Sequence, residues 1–115
     1  MTNNTVLSDI YNVAKPGKEI LAVFAKVKVI PGNEQFFKEE MAKIVPLTLN
    51  EEGAYCYILH ESLDDKSEFT LYEQWESEEH LQAHLSSAHM NQFFHAVKDI
   101  MQTGFPEIKT YKNII

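Results

Sequence analysis

Arginine is absent from the sequence, and the ten basic residues are lysines scattered along the chain. Proteins bind a nucleic-acid backbone through clustered cationic side chains that replace the phosphate counterions, and this chain has no such cluster. The 17 acidic residues outnumber the lysines and give a formal net charge of −7. An anionic membrane surface is equally poorly matched to that charge. We therefore expect neither a nucleic-acid partner nor a membrane partner.

Cysteine is nearly absent as well: Cys56 is the only one, so no disulfide can form within the chain. No apolar run approaches the length needed to span a bilayer. The first ten residues, MTNNTVLSDI, lack the basic start and the apolar stretch of a secretory signal. The length of 115 residues and the hydrophobic fraction of 44% fit one globular domain. Together these features favour a cytoplasmic protein.

Glycine is scarce too, with four dispersed residues. Loops that cradle phosphate groups and turns that bind dinucleotides need closely spaced glycines, and neither pattern occurs here. A nucleophile elbow is also missing. We therefore expect no nucleotide or flavin cofactor.

The chain has a polar N-terminal stretch that ends in a breaker sequence, Lys15-Pro16-Gly17-Lys18. We interpret residues 1–18 as an arm outside the core. The folded domain would then comprise residues 19–115.

The first part of that domain has a strand pattern followed by a helix pattern. From residue 19 to 30, alternation puts four side chains on one face of a strand: Val23, Ala25, Val27 and Val29. After a Pro-Gly turn, Asn33 is placed to cap a helix. The apolar stripe of this helix recurs at helical spacing: Phe37, Met41 and Ile44. Pro46 should kink or end the helix.

The second part of the domain predicts two strands, two helical segments and a last strand. Strands over residues 54–61 and 68–76 flank a polar loop and should pair as a hairpin. Ser77 is placed to start a helix, a Ser-Ser pair interrupts it, and a further helix should run from about residue 88 to 103. Residues 108–112 form a final strand pattern. The order β-α-β-β-α-β predicts an α+β, ferredoxin-like fold, with helices on one face of an antiparallel sheet.

Three polar residues fall on faces that should point inward. Glu73 shares its strand face with Phe69, Leu71 and Trp75, where a carboxylate is costly unless it is paired, hydrogen-bonded or beside a wet pocket. His84 lies at the edge of a helical stripe formed by Leu81, Leu85 and Ala88, and His89 lies one turn before Phe93. We interpret Glu73, His84 and His89 as pocket residues that carry acid–base chemistry. The alternatives are an exposed rim for Glu73 and a purely structural role for the histidines.

The other histidines and the aromatic residues are candidates for a metal site and for a pocket lining. His80 and His84 are four residues apart, but Leu81 occupies the glutamate position of the zincin pattern, no third clustered ligand follows, and His80 should face solvent. We therefore expect no metal cofactor. His95 should lie on the surface. Aromatic residues are candidates to line a pocket for a flat substrate, above all Tyr57, Trp75 and Phe93. Packing in the core or at a subunit interface is the alternative role.

Several segments resemble the antibiotic biosynthesis monooxygenase superfamily, and most closely its quinol monooxygenase branch. They lie between residues 21 and 111: Lys43-Ile44-Val45-Pro46, Glu51-Glu52-Gly53, Tyr72-Glu73-Gln74-Trp75-Glu76-Ser77, His80-Leu81, Ala83-His84-Leu85, Ala88-His89-Met90 and Ala96-Val97-Lys98. The resemblance implies a ferredoxin-like dimer with one pocket per subunit. It also implies oxygenation of dihydroxy aromatic substrates by O2 without flavin, metal or haem. A histidine at position 84 or 89 would act there with Glu73, and Trp75 would line the pocket.

Two other branches fit the residues less well. Haem-degrading members use an asparagine, a tryptophan and a histidine, where this chain has Ala25, His84 and Phe94. A branch that isomerises a phosphorylated sugar derivative would need basic pocket residues, and the sequence has no clear set of these.

The leading hypothesis from the sequence is a cofactor-independent monooxygenase that oxidises a quinol with O2 and uses a histidine as general base. Glu73 would orient an imidazole. A proton-shuttling isomerase of a small metabolite and a non-catalytic dimeric binding module remain as alternatives. We also expect a homodimer, because the outward face of the strands carries Phe24 and Tyr72.

Overall fold

The computed structural model describes residues 20–104 and 106–114, so the arm predicted over residues 1–18 lies outside the described residues. The described part of the chain forms four strands and three helices. In chain order these are β1 (Leu21–Lys28), α1 (Glu34–Leu49), β2 (Ala54–Glu61), β3 (Glu68–Trp75), α2 (Glu78–Leu85), α3 (Ala88–Val97) and β4 (Glu107–Lys112). No helix in these residues is long and apolar enough to cross a membrane. The predicted α+β, ferredoxin-like fold is confirmed.

The four strands form one antiparallel sheet in the order β2-β3-β1-β4. The register places Glu73 of β3 between Val23 of β1 and Tyr57 of β2. These three side chains therefore share the face that packs against the helices, which we call the inner face. All three are buried.

Strand β1 has the predicted alternation. Its inward residues are all buried, from Val23 to Val29, whereas Phe24, Lys26 and Lys28 are exposed. Ala25, Val27 and Val29 join the apolar stripe of α1 and residues of α3 in one core cluster, whereas Val23 packs in a second cluster with Trp75 and Leu81. Each fully buried aliphatic or aromatic side chain in such a core contributes about 1.5–3 kcal/mol. The inner face of the sheet is therefore the floor of the core.

Helix α1 differs from its prediction at both ends. The Asn33 side chain donates to the carbonyl of Ile30 and makes no capping bond to the helix. The helix continues through Pro46 to Leu49, although a proline was expected to kink or end it. Pro46 has no N–H, so the carbonyl of Ala42, four residues earlier, lacks its helical donor. Both residues are exposed, and water can therefore bond to that carbonyl. The added turn brings Thr48 into the interior.

Helices α2 and α3 start as predicted, with Ser77 and Ser87 as N-caps whose hydroxyls accept backbone N–H groups. The prediction that the second segment runs to residue 103 is wrong, because α3 ends at Val97. The chain beyond it bonds to the end of β1 instead: the Ile30 N–H donates to the Ile100 carbonyl, and the Gln102 N–H donates to the Lys28 carbonyl. Ala88, expected to face inward, is exposed.

Candidate functional site

A small, partly open cavity of about 30 Å³ lies between the inner face of the sheet and the helices. Its wall is mostly apolar and includes Ala25, Met41, Leu71, Phe93 and Phe94. The polar side chains that line it are Tyr57, Glu73 and His84. This volume holds about two water molecules and is smaller than an aromatic ring. An apolar cavity with a few convergent polar groups is the usual form of a small-molecule site.

Glu73 reaches the cavity from the middle of β3 and is 4% exposed. Its carboxylate accepts a hydrogen bond of 2.8 Å from Nε1 of Trp75. Burial raises the pKa of Glu73 to about 7; the Trp75 hydrogen bond opposes this rise, and the nearby charge of Glu51 adds to it. Glu73 can therefore gain or lose a proton near neutral pH.

His84 projects from α2 and is 1% exposed. Its Nδ1 lies 2.7 Å from Oε2 of Glu51, and its ring packs 4.7 Å from the ring of Trp75 and 5.3 Å from that of Tyr57. Burial lowers the pKa of His84, whereas Glu51 acts to raise it. When a carboxylate accepts the hydrogen bond from Nδ1–H, the lone pair of the imidazole resides on Nε2. In the neutral form of His84 that donates to Glu51, Nε2 therefore carries the lone pair.

His89, at the start of α3, turns toward the same glutamate. Its Nε2 lies 2.9 Å from Oε2 of Glu51 and 3.4 Å from the hydroxyl of Thr48. The two imidazole rings are 6.0 Å apart. The cavity wall includes His84 but not His89. The structure therefore connects the two histidines through Glu51 rather than placing both at the cavity.

Glu51 and Thr48 are parts of this site that the sequence interpretation missed. Glu51 follows α1 in a turn, where its N–H donates to the Thr48 carbonyl. The inward position of Thr48 could have been predicted from the sequence, because Thr48 continues the buried stripe of α1 four residues after Ile44. The contacts of Glu51 with the histidines could not be predicted in this way, because its partners lie 33 and 38 residues further along the chain. The imidazoles are oriented by Glu51, whereas the sequence had assigned this role to Glu73.

The three predicted aromatic lining residues divide between two positions. Tyr57 and Phe93 line the cavity, and Trp75 packs behind it against His84. The Tyr57 hydroxyl is buried without a well-formed hydrogen bond among the described residues. Burial raises the pKa of Tyr57, and the Thr48 hydroxyl is close enough to oppose that rise. Tyr57 therefore stays protonated at neutral pH and can donate a hydrogen bond to a ligand.

His80 was expected to face solvent but is half-buried. Its Nδ1 lies 2.6 Å from the hydroxyl of Ser77, and its ring covers Gly53 so closely that a Cβ there would overlap it. Gly53 also has a φ of +81°, which few other residues adopt. His60 and His95 are exposed, as expected for His95. The cluster with metal-ligating potential in the described part of the chain is Glu51, His84 and His89, a different set from the His80–His84 pair.

The fold and the cavity together define a ferredoxin-like protein with an apolar cavity lined by one carboxyl, one imidazole and one phenol group. Comparison with known proteins identifies its family: the model of the antibiotic biosynthesis monooxygenase family matches residues 20–96. The chain belongs to that family. It is 36% identical to the "Probable quinol monooxygenase YgiN" of Escherichia coli, over 72% of this chain and 90% of that protein.

Solved structures agree on the fold. A conserved protein from Methanosarcina mazei Go1 superposes with a TM-score of 0.79 at 27% identity, covering 84% of this chain and 94% of that one. The protein PA3566 from Pseudomonas aeruginosa superposes with a TM-score of 0.78 at 23% identity, covering 84% of this chain and 96% of that one. The second likeness concerns the fold alone.

Proposed function

We propose that this protein is a cofactor-independent monooxygenase that oxidises a quinol or a similar dihydroxy aromatic compound with O2. The observation that carries the proposal is the placement of His84 at an apolar cavity with its Nδ1 2.7 Å from Oε2 of Glu51, which leaves Nε2 available as the base. Membership of the monooxygenase family and the likeness to a probable quinol monooxygenase support it.

In this mechanism, Nε2 of His84 takes the proton of one phenolic hydroxyl. The carboxylate of Glu51 stabilises the imidazolium that forms, as a carboxylate does beside a catalytic histidine. The quinolate is a stronger reductant than the quinol and passes an electron to O2. Recombination at a ring carbon and loss of water give a hydroxyquinone, so that one quinol and one O2 yield one hydroxyquinone and one water.

The remaining polar groups support the charge changes of this reaction. The Tyr57 hydroxyl can donate to the phenolate oxygen, because burial keeps it protonated. Glu73, with a pKa of about 7, can accept the second proton or return one to the product. His89 does not line the cavity, so its role is to fix the carboxylate of Glu51.

A substrate ring needs more space than the cavity of about 30 Å³ provides. Entry therefore requires displacement of side chains at the partly exposed part of the wall, which Leu85, Phe94 and Ile108 supply. Closure of the same side chains over the bound ring would exclude water from the reaction.

We propose also that the protein is a homodimer that associates through the outer face of the sheet. Phe24 and Tyr111 on this face are 41% and 52% exposed, and Phe24 packs 5.0 Å from Tyr72 and 5.6 Å from Tyr111. Clustered exposed aromatic rings of this kind are typical of an interface, and a second copy supplies a self-complementary surface. The pocket opens on the opposite face, so each subunit keeps its own site.

A proton-shuttling isomerase is the second candidate, because His84 and Glu73 place two proton acceptors at one cavity. Oxygen uptake with a panel of hydroquinones distinguishes the two. The proposal predicts consumption of one O2 per quinol and incorporation of one oxygen atom from ¹⁸O2 into the product. Proton exchange of a substrate with deuterated water, without oxygen uptake, would support the isomerase instead. Tight binding of an aromatic compound with neither reaction would indicate a binding module.

A further inference from the structure

We propose that Glu51, His84 and His89 form a binding site for a single Zn²⁺ ion, and that zinc at this site switches off the base at the adjacent cavity. The metal site stands on its own geometry. The switching rests on the proposed function.

The three side chains already point their ligand atoms at one another. Oε2 of Glu51 is 2.7 Å from Nδ1 of His84 and 2.9 Å from Nε2 of His89, and all three atoms lie within 4.8 Å of one another. Zinc binds nitrogen and oxygen at about 2.0–2.2 Å, so tetrahedral ligands around it are ~3.3 Å apart. To seat the ion, the carboxylate oxygen would move outward by about half an ångström and the two imidazole nitrogens would adjust to the same spacing.

The fold holds these three side chains together, and they are not a chance grouping of exposed residues. The side chain of His84 is 1% exposed and those of Glu51 and His89 are each 17% exposed. The ligands come from the turn after α1, from α2 and from α3, and Ser87 connects the last two by capping α3 and donating to the His84 carbonyl. Two imidazoles and a carboxylate form a ligand set that suits zinc, whereas Mg²⁺ and Ca²⁺ prefer oxygen ligands alone. The Thr48 hydroxyl, 3.4 Å from Nε2 of His89, lies where it can bond a zinc-bound water.

Zinc binding would reverse the tautomer of His84. Without metal, Nδ1–H donates to Glu51 and Nε2 carries the lone pair. Zinc needs the lone pair of Nδ1, so the proton of the neutral ring moves to Nε2. His89 changes in the opposite direction, with its proton moving from Nε2 to Nδ1. Nε2 of His84, the base in the proposed mechanism, then becomes a donor and can no longer accept a phenolic proton.

The binding site is tested by calorimetric titration of chelator-treated protein with Zn²⁺. We expect one ion per chain, and affinity reduced on the order of a hundredfold or more in Glu51→Gln and in His89→Gln. His95→Gln, an exposed histidine on the same helix as His89, is the matched control and should bind zinc as the unmodified chain does. Circular dichroism verifies that each variant is folded. Equal zinc affinity in all four proteins would mean adventitious binding at exposed histidines and would overturn the site.

The tautomer switch is tested by ¹⁵N NMR of the imidazole nitrogens, which needs no turnover. Zinc should convert the Nε2 signal of His84 from that of a bare nitrogen to that of a protonated one. An unchanged Nε2 signal in zinc-saturated protein would refute the switch while leaving the site intact. Where a quinol is oxidised, saturating zinc should stop oxygen uptake, chelator should restore it, and His89→Gln should require far more zinc. Failure of every quinol to react would count against the proposed function alone.

Discussion

Each face of the sheet carries a few side chains in an environment opposite to the one that they favour. On the inner face, the carboxylate of Glu73 is almost completely removed from water. On the outer face, Phe24 and Tyr111 keep roughly half of their surface exposed to it. Residues 72, 73 and 74 alternate between these faces along a single strand. Each arrangement is unfavourable for an isolated subunit, and each has a different explanation, chemistry on the inner face and association on the outer one.

Gln74 sharpens the contrast because it belongs to the outer face and is nevertheless buried. Its Nε2 donates to the Tyr72 hydroxyl at 2.7 Å, but its Oε1 has no hydrogen-bond partner among the described residues. A buried acceptor without a partner costs about 1–3 kcal/mol. A donor from a second copy at this face would remove that cost, which agrees with the proposed homodimer.

The largest expected effect concerns the inner face. His84→Ala removes the proposed base, and we expect the turnover of an accepted quinol to fall by roughly a hundred- to ten-thousand-fold. Oxygen uptake measures this change. His95→Ala removes an exposed histidine and is the control, with turnover unchanged. Wild-type turnover in a folded His84→Ala protein would show that His84 is structural, and His89→Ala would then decide whether either histidine participates.

The next effect concerns the outer face. Phe24→Lys introduces a charge beside Tyr72 and Tyr111, and the two-fold symmetry of a dimer doubles its cost. Loss of a central aromatic residue costs about 2 kcal/mol per copy, so dissociation should become easier by roughly a thousandfold. Light scattering at micromolar concentration should report a dimer for the unmodified chain and a monomer for the variant. A monomeric mass for both proteins would refute association through this face.

The two faces of the sheet were predictable from the sequence, whereas contacts between distant parts of the chain were not. Alternation in β1 and β3 assigned each side chain to a face, so the inward position of Glu73 was predictable from its strand alone. Helical spacing likewise placed His84. Glu51 was not predictable, because its role depends on a turn meeting two helices that lie more than thirty residues away. The end of α3 was missed for a related reason, since tertiary hydrogen bonds to β1 compete there with the helix.

The smallest of the three expected effects is the pH dependence that Glu73 adds to stability. The pKa of this carboxyl is about 7 in the folded chain against 4.5 for the ordinary group. Below pH 4.5 both states hold the proton, and above pH 7 both have lost it. Between these values the unfolded chain ionises first, so the folded state loses stability as pH rises. The total loss is about 3 kcal/mol, because each pKa unit corresponds to about 1.4 kcal/mol.

Glu73→Gln removes this loss and keeps an oxygen that can accept the hydrogen bond from Nε1 of Trp75. The variant should therefore gain stability relative to the unmodified chain as pH rises from about 4.5 to about 7, and the difference should then stay constant. Urea unfolding across this range measures it, and Glu79→Gln, which removes an exposed carboxylate, controls for the change in net charge. The histidines add the same pH dependence to the free energy of unfolding of both proteins, so their contributions cancel in the difference. If the difference in free energy of unfolding were constant over the whole range, Glu73 would be ionised in the folded chain throughout. The inner face would then hold a permanent charge rather than a group that exchanges protons near neutral pH.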